Sequence, residues 1–190
     1  MFQKLCSFSI LMLFPIFLLA HGSHGNGIMA GFTHPIFGID HLVAIFGTGL
    51  LGYLINPSKW YLQLMTFVLL MILGGVLGIN KEATFIIEKI IAFSVFFIGI
   101  LIAFGIELNL VVSLIILGVF GFVHGYAHGA EMEPTNTALK YISGYSLGTI
   151  LVGVVGMYVG KMLGSKNQEE KYISILGGVI CGCGIMMLLA

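Results

Sequence analysis

Apolar residues run along this chain in long unbroken stretches, without the alternation of a half-buried strand or the single stripe of a water-facing helix. The stretches stop at short polar punctuation: Asn56-Pro57-Ser58-Lys59, Asn80-Lys81-Glu82, Gly105-Ile106-Glu107, Glu131–Asn136 and Leu163–Glu170. Runs of ~18 apolar residues or more have the length of a bilayer-crossing helix. The punctuation therefore predicts six spans, over 36–55, 60–79, 84–104, 108–130, 137–162 and 171–190. Ahead of them, residues 1–20 carry one lysine, an apolar core Phe8–Leu19 and a small residue, Ala20, the pattern of a secretory signal peptide and a seventh hydrophobic segment in the precursor. Residues 21–35 form a His/Gly-rich outer segment, in which His21–Thr33 has no apolar periodicity and reads as flexible. The connections are too short to separate domains, so residues 36–190 are expected to form one six-helix transmembrane domain.

Composition agrees. The chain is 58% hydrophobic and 8% charged, with a mean hydropathy of +1.09. That defines an all-α integral membrane protein whose first partner is the lipid bilayer. A transmembrane barrel is disfavoured because the apolar runs are continuous. Eight lysines and eight acids balance, leaving no basic surface for nucleic acid. With the mature N-terminus outside, Lys59, Lys161, Lys166 and Lys171 fall on the inner side, against Lys81, Lys89 and Lys140 on the outer. This excess obeys the positive-inside rule and fits a multi-pass protein of a bacterial cytoplasmic (inner) membrane.

Glycine is abundant, at 27 residues. Pairs spaced by four (Gly74/Gly78, Gly121/Gly125, Gly125/Gly129, Gly144/Gly148, Gly156/Gly160, Gly178/Gly182) mark expected helix contacts, and surfaces through which copies of the chain could form a homo-oligomer. Of the three cysteines, Cys6 lies in the leader. Cys181 and Cys183 fall on different faces of a helix and read as small packing residues.

Two polar clusters interrupt this membrane-grade sequence: His34-Pro35-Ile36-Phe37-Gly38-Ile39-Asp40-His41 and His124-Gly125-Tyr126-Ala127-His128-Gly129-Ala130-Glu131. An ionisable side chain at the bilayer centre costs roughly 2.5–3.5 kcal/mol on an insertion scale, so such residues are functional candidates. Imidazoles beside carboxylates, with no thiolate near them, suit a borderline divalent cation: Ni²⁺, Co²⁺, Zn²⁺ or Cu²⁺. Counting spans places both clusters at one depth, because the first span begins outside and the fourth ends there. His124, His128 and Glu131 follow i, i+4, i+7 and share a helix face. Pro35 suits a first helical position with His34 at the cap. His34, Gly38 and His41 then share a face, and Asp40 points aside, suited to fixing an imidazole tautomer. The metal candidates are thus His34, His41, His124, His128, Asp40 and Glu131. Glu88 at the start of the third span and His21 and His24 beside the new N-terminus are auxiliary candidates. No acid or histidine lies in the inner half of any span.

His34-Pro35-x-x-Gly38-x-Asp40-His41 resembles the N-terminal signature of the HupE/UreJ family of nickel and cobalt permeases, and His124-Gly125-x-Ala127-His128-Gly129-Ala130-Glu131 resembles that family's second block. The likeness extends over the leader, the outer segment, six spans and Glu88. It implies bacterial uptake of Ni²⁺ or Co²⁺ as cargo, with no permanently bound cofactor and no enzymatic activity. One position departs. Many relatives carry histidine in the fifth span within Thr-x-x-Leu-His-x-x-Gly, whereas this chain reads Thr149-Ile150-Leu151-Val152-Gly153-Val154-Val155-Gly156. No Gly-x4-Gly-Lys-Ser/Thr phosphate loop occurs, so no ATPase is built in. The competing reading is an intramembrane zinc-dependent hydrolase that uses the same histidines and carboxylates.

Overall fold

A computed structural model of the chain describes residues 27–164 and 170–190. The expected signal peptide, Cys6, His21 and His24 lie outside the described residues. Seven helices follow in order: α1 (Ile28–Phe37), α2 (Ile39–Ile55), α3 (Trp60–Gly78), α4 (Phe85–Ala103), α5 (Leu110–Ala130), α6 (Ala138–Leu163) and α7 (Glu170–Leu189). Five are long and apolar enough to cross a membrane, and α1 with α2, bent by 81° between them, makes a sixth candidate as a pair. Among the described residues there is no strand, and the molecule is an all-α membrane bundle. The last five predicted spans match α3 to α7 to within about two residues at each end, because each apolar run is closed by residues that lipid will not accept.

The first span differs from expectation. Ile28–Thr33, expected to belong to a flexible segment, is helical, and His34 and Pro35 lie inside α1 rather than at a cap. The break comes at Gly38, which serves as C-cap of α1 and N-cap of α2. Pro35 has no N–H to give the Gly31 carbonyl one turn back, so α1 cannot run on far beyond it. The Gly38 N–H closes the helix on the His34 carbonyl at 3.0 Å, and the chain then turns. Irregular backbone of this kind is tolerated at membrane depth where protein surrounds it.

Close backbone approaches fix the packing. On α3 and α5, a Cβ added at Gly74, Gly78, Gly121, Gly125 or Gly129 would lie within 2.4 Å of a carbonyl oxygen of the other helix. Helix α6 receives both halves of the bent span. Gly144 and Gly148 lie against Ile28 and Phe32 of α1, and farther along Gly156 lies against Phe46 of α2. At 26 residues α6 is the longest helix, about 39 Å at 1.5 Å per residue, and it can brace both halves at once. Helix α7 packs on α4, with Gly177 against Ala103 and Gly184 against Phe96. Gly178 and Gly182 have no neighbour within 4 Å, so among the six expected glycine pairs this one makes no contact within the bundle. Cys181 sits against Gly99 of α4 and Cys183 beside the core, both as free thiols in packing positions.

The core runs through Ile45, Leu50, Phe67, Met71, Ile98 and Tyr145, all fully buried. Leu69, Leu73, Val76, Leu147, Leu151 and Val155 turn outward, as lipid-facing residues do. Lys89, near the start of α4, donates from Nζ to the carbonyls of Leu188 at 3.0 Å and Met187 at 3.4 Å, capping the end of α7.

Candidate metal centre

Three short pieces of chain build the centre. The last turn of α1 supplies His34, and the first turn of α2 supplies Asp40 and His41 just past the Gly38 break. The last two turns of α5 supply His124 and His128, with Glu131 as the residue that caps it. Without the 81° bend, His34 would follow the axis of α2 rather than lean across toward α5. Gly38 also leaves space for Asp40 to fold back. A Cβ there would sit 3.2 Å from Asp40 Oδ1 and 3.4 Å from His41 Nδ1.

His34, His41, His128 and Glu131 converge, with one ligand atom from each within 4.8 Å of all the others. The rings of His41 and His128 lie 4.3 Å apart and those of His34 and His128 4.8 Å apart. At the rim, His34 Nε2 and Glu131 Oε2 are 2.8 Å apart, their side chains 23% and 36% exposed. Burial raises the Glu131 carboxyl, while the His34 hydrogen bond and the nearby His41 lower it, and the net result lies below its ordinary value. Glu131 is therefore a carboxylate at neutral pH. Beneath the rim, His41, His124 and His128 are buried. The centre is a cup, open at one lip and closed at its floor.

Hydrogen bonds set the tautomers. His41 Nδ1 donates to Asp40 Oδ1 at 2.8 Å, and the His41 backbone N–H donates to the same oxygen at 2.8 Å. His124 Nδ1 donates to the Phe120 carbonyl at 2.9 Å. In both rings the Nε2 lone pair is left free, the arrangement in which histidine binds a metal. His41 Nε2, His124 Nε2 and both nitrogens of His128 are buried without a hydrogen-bond partner. A buried polar atom left unpaired costs about 1–3 kcal/mol, so four of them within one cluster are a cost that packing does not explain and a cation would relieve.

Asp40 is bonded to His41 and lies outside the converging four. His124 is separated from them. Its ring centroid lies 5.2 Å from that of His41, one helical turn before His128 along α5. Glu88 is exposed on α4 and lies outside the group, because shared depth did not imply a shared side of the bundle. Sequence reasoning passed over two tyrosines of α6. Tyr145 stacks on His128 at 5.0 Å with planes 19° apart, and Tyr141 faces His34 at 6.1 Å with its hydroxyl buried and unpartnered. Their i, i+4 spacing on the span expected to follow the second cluster was the available signal. Gly153, where many relatives have histidine, faces α3: a Cβ there would lie 2.4 Å from Leu64 Cδ1, so leucine fills that space.

This architecture defines a polytopic helical membrane protein with a histidine–carboxylate centre built into one end of its bundle. Comparison with known sequences places it further. The chain belongs to the HupE / UreJ protein family, whose pattern matches residues 9–187. It is similar to Protein HupE of Rhizobium leguminosarum bv. viciae, at 28% identity over 188 residues, 98% of each chain. No solved structure matches the chain.

Proposed function

We propose that the protein is a permease of the bacterial inner membrane that imports a divalent transition metal, Ni²⁺ or Co²⁺, through an outer site formed by His34, His41, His128 and Glu131. The observation that carries this reading is the convergence of those four side chains around buried imidazole nitrogens that lack partners. Nitrogen and oxygen donors without thiolate suit these ions. Family membership over nearly the whole chain agrees with it. Asp40 orients His41 and supplies negative charge, and the His21/His24 segment gathers ions near the mature N-terminus. The ion is cargo, and no resident cofactor is required.

The rim pair suggests how an ion is admitted. In its absence, His34 and Glu131 satisfy one another across 2.8 Å. An arriving cation takes both ligand atoms and replaces the hydrogen bond between them. The exchange makes uptake depend on pH, because imidazole binds metal and imidazolium does not. Lowering the external pH is expected to weaken uptake progressively, because protons compete with the ion for the imidazole nitrogens. Initial rates measured at fixed free nickel across a series of external pH values check it, and a flat profile would remove histidine from the rate-setting step.

The deciding experiment is uptake of radioactive nickel and cobalt by cells expressing the protein, each competed with the other metal and with zinc. Accumulation above control cells, suppressed by the second metal, is the expected outcome. A purified preparation that keeps tightly bound zinc and moves neither metal would instead favour the zinc hydrolase.

A further inference from the structure

We propose that the protein carries a second, inner cation step one helical turn below the outer site, with His124 as its nitrogen ligand and the Met71 thioether and Thr149 hydroxyl beside it. The inference rests on the permease reading above and adds a stage to it. His124, Met71 and Thr149 are all fully buried. The bond from His124 Nδ1 to the Phe120 carbonyl holds the Nε2 lone pair free, and that nitrogen has no partner.

Contacts join Met71 to Thr149 and to the stretch of α5 that carries His124. Tyr145, stacked beneath His128, donates from its hydroxyl to the Met71 carbonyl at 3.5 Å. One turn farther along α6, Thr149 Oγ1 donates to Met71 Sδ at 3.6 Å. The Met71 backbone lies directly against Gly125, the residue that follows His124 on α5. His41 joins the two layers, since its ring belongs to the outer group and lies 5.2 Å from that of His124.

The two layers differ in charge, and the difference gives the inner one its role. The outer layer has the carboxylates Asp40 and Glu131 to balance a divalent ion. The inner layer offers imidazole, thioether and hydroxyl, all neutral, walled by Phe67 with its ring 5.4 Å from His124. Conduction needs sites that bind well enough to fill and weakly enough to empty. A neutral step behind a charged one has that order. The nitrogen and sulfur donors also suit a borderline transition metal better than Mg²⁺ or Ca²⁺, which prefer oxygen ligands.

The test separates binding from movement. Nickel binding to the purified protein in detergent and nickel uptake by cells are measured for wild type, His124→Leu, Met71→Leu and Thr149→Val. His124→Leu is expected to keep outer-site binding while uptake falls about tenfold or more, the scale of metal-site losses. Met71→Leu, close in volume, is expected to slow uptake several-fold with binding retained, and it carries the test if His124→Leu fails to accumulate. Wild-type uptake in both variants would overturn the inner step. So would loss of binding in His124→Leu, which would return His124 to the outer site. A wild-type protein that binds no nickel would overturn the permease reading itself, and the inner step with it.

Discussion

Replacing His128 by leucine is expected to abolish nickel uptake while leaving the folded protein at least as stable as the wild type. The two effects have one cause. Both ring nitrogens of His128 are buried and unpaired, and each such atom costs about 1–3 kcal/mol in the ion-free protein. Leucine removes that cost and still fills space against Tyr145, 5.0 Å away. It also removes the ligand at the meeting point of the site, since His128 alone lies within 5 Å, ring to ring, of both His34 and His41. Uptake at limiting nickel should fall by about tenfold or more, the range seen when metal-site residues are lost. Thermal unfolding in detergent without metal should shift upward or not at all. Uptake at the wild-type rate would remove His128 from the site, and a sharply lower unfolding temperature would mean that its role is structural.

Gly125→Val is expected to prevent the bundle from assembling, whereas Gly182→Val should be silent. A Cβ at position 125 would lie only 1.8 Å from the Met71 carbonyl oxygen, so α3 and α5 would have to separate along their whole contact. Forcing extra atoms into a packed interior costs typically 1–3 kcal/mol where side chains can yield. Here the obstacle is backbone, and the penalty belongs above that range. Gly125 also lies between His124 and His128, so any surviving protein would carry a displaced site. At Gly182 no atom lies within 4 Å of the same added carbon. The amount of protein in isolated membranes and its unfolding temperature in detergent report both variants. Equal accumulation of the two would show that the α3–α5 approach is not required. A loss confined to Gly182→Val would mark its face as an interface between copies of the chain.

The spans were legible because lipid sets a strict rule, and the polar punctuation closes each apolar run. Convergence of the two histidine clusters was also legible, from counting crossings alone. Depth, however, says nothing about position around the bundle. Glu88 was placed at the level of the site, yet it stands exposed on α4, whose close partner is α7. The same limit hid the separation of His124 from His128: helix spacing puts them on one face without saying which of them meets His34 of α1. The break at Gly38 went unread because Pro35 fits two local structures, a helix start and the last turn of a helix about to end. Tertiary contact with α6 selects the second. Tyr141 and Tyr145 were missed because apolar spans commonly carry aromatic residues, and only their partners distinguish them.

The pairings at Gly125, Gly144 and Gly156 have a consequence for how the chain is made. Each joins helices that are not neighbours in sequence: α3 with α5, α1 with α6, and α2 with α6. A ribosome delivers the histidines of α1 and α2 first and those of α5 much later, and at that stage every ligand residue of the outer site exists. The helix that braces α1 along most of its length is still to be synthesised. A chain halted after α5 would carry the whole ligand set without the site. On the proposed reading, capture of metal is thereby withheld from half-made protein.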